Sequence, residues 1–258
     1  MIRVCLAGAT GWVGRPLATA IDEAEDLELV AAVARRARGE QLGKLAIAGS
    51  VDEALAVPAD VFVDYTSATS VRSHVLAALR AGRHVVIGSS GLTDADFEVI
   101  DRDAWAAHRG VVAVGNFAIT AALLQRFAVE AARHLPSWEI IDFASASKID
   151  APSGTARELA WRLADGPPPA VEVPTERVVG PAEARGAVVN NTRVHSVRLP
   201  GYTVGIEIRF GQQDERLTLQ YDAGPGPTPY IAGTLLAIRR VPHVTGLVRG
   251  LDRILCDA

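Results

Sequence analysis

Cysteine is scarce in this chain: two among 258 residues, Cys5 and Cys256, at opposite ends. Two thiols with no short spacing make no metal motif, so no metal is expected. Cys5 falls in an apolar run, where the expected role is that of a small core hydrophobe. Long hydrophobic runs are missing too; none approaches the ~18–20 residues that cross a bilayer. The chain opens directly on the strand-like MIRVCLAGA. No signal peptide and no membrane association are therefore expected, and a reducing cytoplasm is the expected compartment. Strong charge of either sign is absent. A formal net charge of −4 gives no electrostatic reason to expect nucleic acid or an anionic membrane as partner. Internal repeats are absent. What is present, 49% hydrophobic and 22% charged residues, suits a globular protein of one large domain or two modest ones.

The first half reads as alternating strands and helices. Ile2 to Ala7 (IRVCLA) is a short apolar run, the pattern of a buried parallel strand. The glycine turn GATGWVG follows, with Gly8, Gly11 and Gly14, then a helix-like segment and a second strand, Leu27 to Val33. Strand, glycine turn, helix and strand in this order form a dinucleotide-binding unit. Glycines let the backbone approach a pyrophosphate, and a helix N-terminus offers it N–H groups. Gly8, Thr10, Gly11, Trp12 and Val13 are accordingly expected at the cofactor. The alternative is that the glycines only pack a helix on a strand.

A carboxylate about 20 residues beyond the last glycine would hold the ribose hydroxyl of NAD. None occurs at Val33-Ala34-Arg35-Arg36. Arg35 and Arg36 there suit a 2′-phosphate, so NADPH is expected, with NADH as the second option. A solvated basic helix start is the other reading of Arg35, Arg36 and Arg38. Further strands are expected at Val61 to Asp64, His84 to Ile87 and Val111 to Val114, with helices at Thr69 to Ala81 and Thr93 to His108. Repeated βα units imply an open parallel sheet with ligands outside the carboxyl ends of its strands. That puts Tyr65, Thr66, Gly88, Ser90, Asn116 and Phe117 near the cofactor, although Ser89 and Ser90 also suit a plain turn.

After a helix candidate at Ile119 to Leu135 this rhythm stops. Trp138 to Phe143 reads as a strand, and FASASKIDAPSGTA follows, an anion-binding turn with Lys148 beside it. A proline-rich loop leads to three strand candidates, Arg193 to Leu199, Thr203 to Phe210 and Arg216 to Tyr221, which alternate as an antiparallel sheet does. AGPGPTP then crosses to a last helix, roughly Pro229 to Arg239. The expected fold class is α/β: a Rossmann-type dinucleotide-binding domain (1–116 and 228–258) plus a mixed α/β substrate and oligomerisation domain with an open sheet (117–227).

In order along the chain, GATGWVG, VDYT, VIGSSG, GNFAIT and KIDAPSGTA resemble the dihydrodipicolinate reductase family. The resemblance runs nearly end to end and is most specific from Lys148 to Ala156. It implies an NAD(P)H-dependent reductase of a cyclic imine-like substrate, with an open second-domain sheet that builds a homotetramer. It also implies that Ser153, Gly154 and Thr155 bind a substrate carboxylate, and that Lys148 supplies charge or a proton. The alternative for Ser153 and Thr155 is plain helix capping, and for Lys148 an exposed, solvated side chain.

The chain departs from the family at one place that bears on chemistry. The family pattern is His-His-x-x-Lys; here it is Ala144-Ser145-Ala146-Ser147-Lys148. Ser145 is kept as a candidate substrate contact, and none of the six histidines is placed as a substitute acid; surface or capping roles are expected for them. The main expectation is therefore a reductase of an altered C=N or conjugated C=C substrate, carrying a carboxylate. A genuine 4-hydroxy-tetrahydrodipicolinate reductase of lysine biosynthesis is the alternative, and a non-catalytic NADPH-binding protein the third reading.

Overall fold

β-branched runs and helices with one apolar face set the order of elements in the computed structural model, which describes residues 1–255; Cys256 lies outside them. In the first half these are β1 (Ile2–Ala7), α1 (Gly14–Asp22), β2 (Leu27–Val33), the short strands β3 (Gln41–Leu42) and β4 (Leu45–Ala46), α2 (Val51–Leu55), β5 (Val61–Asp64), α3 (Val71–Arg80), β6 (His84–Ile87), α4 (Asp94–Ala106) and β7 (Gly110–Ala113). There follow α5 (Ile119–Ala132), β8 (Ser137–Ala144), α6 (Gly154–Leu163), β9 (Ala187–Val189), β10 (Thr192–Arg198), β11 (Val204–Gln212), β12 (Glu215–Ala223), α7 (Thr228–Arg240) and β13 (Gly246–Arg249). Two units result, one of residues 1–119 with the segment from Pro227 onward, the other Thr120–Gly226.

The first unit holds a six-stranded sheet in the order β13-β7-β6-β5-β1-β2, parallel throughout. Helices cover both faces of such a sheet, so its strands need no polar side. β5 (VFVD) and β7 (GVVA) are accordingly buried at every residue. Phe62, Val75, Ile100 and Val111 share its core. β2 and β5 flank β1 on opposite sides, so the strand order reverses at β1 and opens a crevice at the carboxyl ends. The chain's end contributes β13, parallel to β7.

The second unit holds a five-stranded mixed sheet, β12-β11-β8-β10-β9. β8 alternates strictly: Trp138, Ile140, Asp142 and Ala144 are buried, while Glu139, Ile141 and Phe143 are partly exposed. α6 packs on β8, burying Leu159 and Leu163.

One expectation is corrected here. Arg193 to Leu199 does not pair antiparallel with the strand that follows it. β10 instead lies parallel to β8, and β8 sits between β10 and β11. A parallel pair needs a long crossover, which α6 and the proline-rich loop supply. The five residues 199–203 then step over one strand, about 10 Å, within their reach. Alternation identifies a strand but not its neighbours.

Candidate functional site

The first unit contains a cleft of about 660 Å³ at the carboxyl ends of its strands. Three of the loops that line it follow β1 (Gly8, Thr10, Gly11), β2 (Ala34, Arg35, Arg36) and β5 (Tyr65, Thr66, Ser67). α3 adds Ser73, His74, Ala77 and Arg80. Gly8 has φ +84°, and a Cβ there would lie 2.2 Å from the Tyr65 carbonyl oxygen. At Gly14 a Cβ would meet the Gly8 oxygen at 2.0 Å, so this glycine seats α1 against the turn. α1 has no side-chain cap; Arg15 N–H donates to the Gly11 carbonyl at 3.1 Å and Pro16 has no N–H, so by position it is the Gly14 N–H that is offered to an anion. Arg35 and Arg36 are exposed and, among the described residues, have no acidic partner, whereas Arg38 pairs with Glu53 at 3.6 Å. These features fit a dinucleotide phosphate chain.

Other residues expected at the cofactor lie outside that lining. Trp12 is exposed and meets Tyr230 edge-on, with ring centroids 5.6 Å apart. Val13 is the uncapped N-cap of α1. Gly88 packs under the Tyr65 ring, where a Cβ would approach to 2.3 Å. Ser90 is exposed. Asn116 is buried and accepts the Ala118 N–H at 2.9 Å, while Phe117 is buried against Tyr65. The Tyr65 hydroxyl is 2.6 Å from Thr234 Oγ1. Burial drives that phenol above its usual range, although the Thr234 bond pulls the other way.

Among the described residues, Ser89 rather than Ser90 has side-chain hydrogen-bond partners. Its hydroxyl donates to the buried Asp64 carboxylate at 2.6 Å and accepts the Thr66 N–H at 2.7 Å. Asp64 also accepts from the Thr66 hydroxyl at 2.8 Å and lies 2.9 Å from His74 Nδ1. This network fixes the Tyr65-Thr66 corner, and sequence reasoning missed Asp64, His74 and Arg80. The histidine expectation of surface or capping roles changes as well. His84 Nδ1 accepts the Gly110 N–H at 2.9 Å, and His195 Nε2 lies 2.8 Å from Glu139. The i, i+10 spacing of Asp64 and His74 crosses from strand to helix, so no local period betrays it.

In the second unit, residues 145–153 connect β8 to α6. Lys148 N–H donates to the Ser145 carbonyl at 3.0 Å, closing a tight turn after β8. The Ser145 hydroxyl is 3.2 Å from that of Ser147. Lys148 Nζ pairs with Asp150 at 2.8 Å, and Arg157 stands 3.8 Å from the same carboxylate. Burial alone would raise the Asp150 carboxyl, but the Lys148 hydrogen bond and charge, with Arg157, hold it below its ordinary value. Ser153 is buried and caps α6, accepting the Ala156 N–H at 3.2 Å. Gly154 has open space where a Cβ would stand, and Thr155 is buried beside it. Lys148 thus pairs with Asp150, which Arg157 of α6 also approaches, and the chain runs on to the Ser153-capped N-terminus of that helix, a favourable place for an anion.

The family model described as dihydrodipicolinate reductase, N-terminus, matches residues 2–117, and that for the C-terminus matches 120–255. A protein named 4-hydroxy-tetrahydrodipicolinate reductase from Desulfitobacterium hafniense is 35% identical, with 98% of each chain covered. One of the same name from Rippkaea orientalis is 37% identical, covering 99% of this chain and 98% of the relative. A solved structure of dipicolinate-bound dihydrodipicolinate reductase from Paenisporosarcina sp. TG-14 superimposes with a TM-score of 0.81. Its identity is 30%, with 99% of this chain and 100% of that chain covered.

Proposed function

The chain belongs to the dihydrodipicolinate reductase family and is an NAD(P)H-dependent oxidoreductase; we propose that it is a 4-hydroxy-tetrahydrodipicolinate reductase acting in lysine biosynthesis. The observation that carries this reading is the Lys148–Asp150 pair in the segment that runs directly into the Ser153-capped start of α6. Full-length relatives of that name support it over the altered substrate that the missing histidines suggested.

In this reading the first unit binds NADPH and the second binds substrate. The cofactor supplies hydride. Gly8, Thr10 and Gly11 carry its pyrophosphate against α1, with Trp12 and Val13 completing the turn, and Arg35 and Arg36 neutralise a 2′-phosphate. Tyr65, Thr66, Gly88, Ser90, Asn116 and Phe117 form the remaining cofactor-side set. The Ser153-Gly154-Thr155 turn receives a substrate carboxylate. The Lys148 ammonium, held by Asp150, supplies positive charge or a proton where negative charge develops. Ser145, at the head of the turn, relays solvent protons in place of the family's histidine. The half-exposed face of the second sheet joins further copies, as the family's tetramer implies.

One observation favours a second reading. Ala144, Ser145, Ala146 and Ser147 offer no strong acid before Lys148. A cyclic imine that is already protonated needs hydride but no acid, and would suit this site. One assay decides between the two: NADPH oxidation with substrate generated in situ by dihydrodipicolinate synthase, followed at the cofactor absorbance. Fast turnover supports the lysine-pathway assignment. No turnover in a sample that binds NADPH rejects it and favours another cyclic imine.

A further inference from the structure

Beneath the Lys148–Thr155 turn lies a charge pair that the proposed chemistry does not use. Asp142, on β8, is buried, and its Oδ2 accepts from three donors. These are the Ser153 N–H at 2.8 Å, the Ser196 hydroxyl at 3.1 Å and Arg198 Nη2 at 2.8 Å. Arg198, at the end of β10, has a side chain only 16% exposed. Its Nη2 also donates to the Asp150 carbonyl at 2.8 Å. Its Nη1 donates to the carbonyls of Asp142 at 3.2 Å and Val197 at 2.9 Å. One planar guanidinium thus ties the ends of two parallel strands to the residue that pairs with Lys148.

Two consequences follow from this geometry. A lone buried carboxylate under an anion-binding turn would repel the anion, and Arg198 cancels that charge where it stands. The Ser153 N–H is also committed to Asp142, while the Ser153 hydroxyl oxygen accepts the Ala156 N–H. Gly154, as first residue of α6, has by position no intrahelical acceptor for its N–H.

We infer that Asp142 and Arg198 are positioning residues for the carboxylate-binding turn, with Ser153 as its anchor and Gly154 and Thr155 as the groups that meet the carboxylate. The inference rests on the assignment of that turn in the proposed function. Lysine at position 198 would keep the charge but lose the planar fork that spans carboxylate and carbonyl together.

The test titrates dipicolinate and NADPH separately into the full-length protein and its Arg198→Lys and Asp142→Asn variants, with thermal melting recorded for each. Loss of the fork is expected to weaken dipicolinate about tenfold or more, since one charged hydrogen bond is worth that much, while NADPH affinity stays unchanged. KM for the carboxylate substrate should rise by the same factor with little change in kcat. Wild-type dipicolinate affinity in Arg198→Lys would overturn the inference. So would equal weakening of both ligands, which marks a general stabiliser. Should Arg198→Lys fail to fold, Asp142→Asn decides through the Ser153 anchor: weaker dipicolinate binding supports positioning even though the Arg198 charge then stands unpaired, whereas unchanged or tighter binding overturns it. A wild-type protein that binds NADPH but not dipicolinate would instead remove the carboxylate turn itself, and this inference with it.

Discussion

The two sheets of this protein are buried in different ways. β5 and β7 of the first are enclosed at every residue, whereas β8 of the second alternates between buried and half-exposed positions. A parallel sheet wrapped by helices closes on itself and leaves only its carboxyl-end crevice for a ligand. The second sheet, by contrast, keeps one face of β8 half-exposed. The proposed division of labour, cofactor in the first and substrate in the second, can be broken or sharpened by experiment.

The largest effect is expected from Lys148→Ala. It should lower kcat by about 10²–10⁴, the range for losing a positioned proton donor, while NADPH affinity holds. Steady-state kinetics beside a cofactor titration measures both, and wild-type turnover would take Lys148 out of the chemistry. Next comes a paired core test across the two sheets. Phe62 is fully buried in β5, so Phe62→Ala should cost about 3–5 kcal/mol in urea unfolding. Phe143, on the open face of β8, stacks on Tyr202 with ring centroids 5.0 Å apart. Phe143→Ala should cost about 0.5–1.5 kcal/mol in a dissociated chain, and more as concentration rises and copies associate. Concentration-independent melting of both proteins would count against a shared face.

A smaller change tests cofactor choice within the first unit. Arg35→Ala with Arg36→Ala should lower kcat/KM for NADPH about 10- to 100-fold and leave NADH nearly untouched. Equal losses with both cofactors would return these arginines to the role of a solvated surface.

Acid sensitivity should also be uneven between the units. Hydrogen bonding and charge from Arg3 hold Asp60 below its ordinary value, Arg239 does the same for Asp26, and bonds from Thr93 with the nearby Arg72 charge depress Asp96. All three lie in the first unit, and in the second Asp150 is held low in the same way. A carboxyl depressed in the folded state adds stability above its unfolded value, about 3.9 for Asp, and that stability is lost as pH falls through the folded value. Amide exchange below about pH 4 should therefore open the first unit more than the second, modestly because such exposed pairs are screened. Equal loss of protection in both would contradict it. The smallest effect is chemical. Burial, against a weaker pull from Arg83, pushes the Cys5 thiol up to about 12, so its peptide should resist alkylation until the protein is denatured.

Much of this was legible without coordinates, because it depends on local chemistry. Strand, glycine turn, helix and strand from Ile2 to Val33 are written in apolar runs and in glycines that no side chain can replace. The Lys148–Ala156 stretch carries its resemblance in consecutive residues, and helix capping by Ser153 was the alternative that its residue type offered. Other features exist only because distant segments meet. β8 separates β10 from β11, since hydrogen-bond partners across a sheet are chosen by burial of one face and not by order along the chain. Asp64 finds His74 and Ser89, and Asp142 finds Ser196 and Arg198, because a buried carboxylate must collect donors wherever packing brings them. Local residue pattern was enough for the longer strands, the glycine turn and the reductase class, but not for the short strands β3, β4 and β9 or for β13, which form only where neighbouring segments offer them a partner. Tertiary structure alone decided which charges stand beneath those turns, since that pairing is set by three-dimensional packing and desolvation.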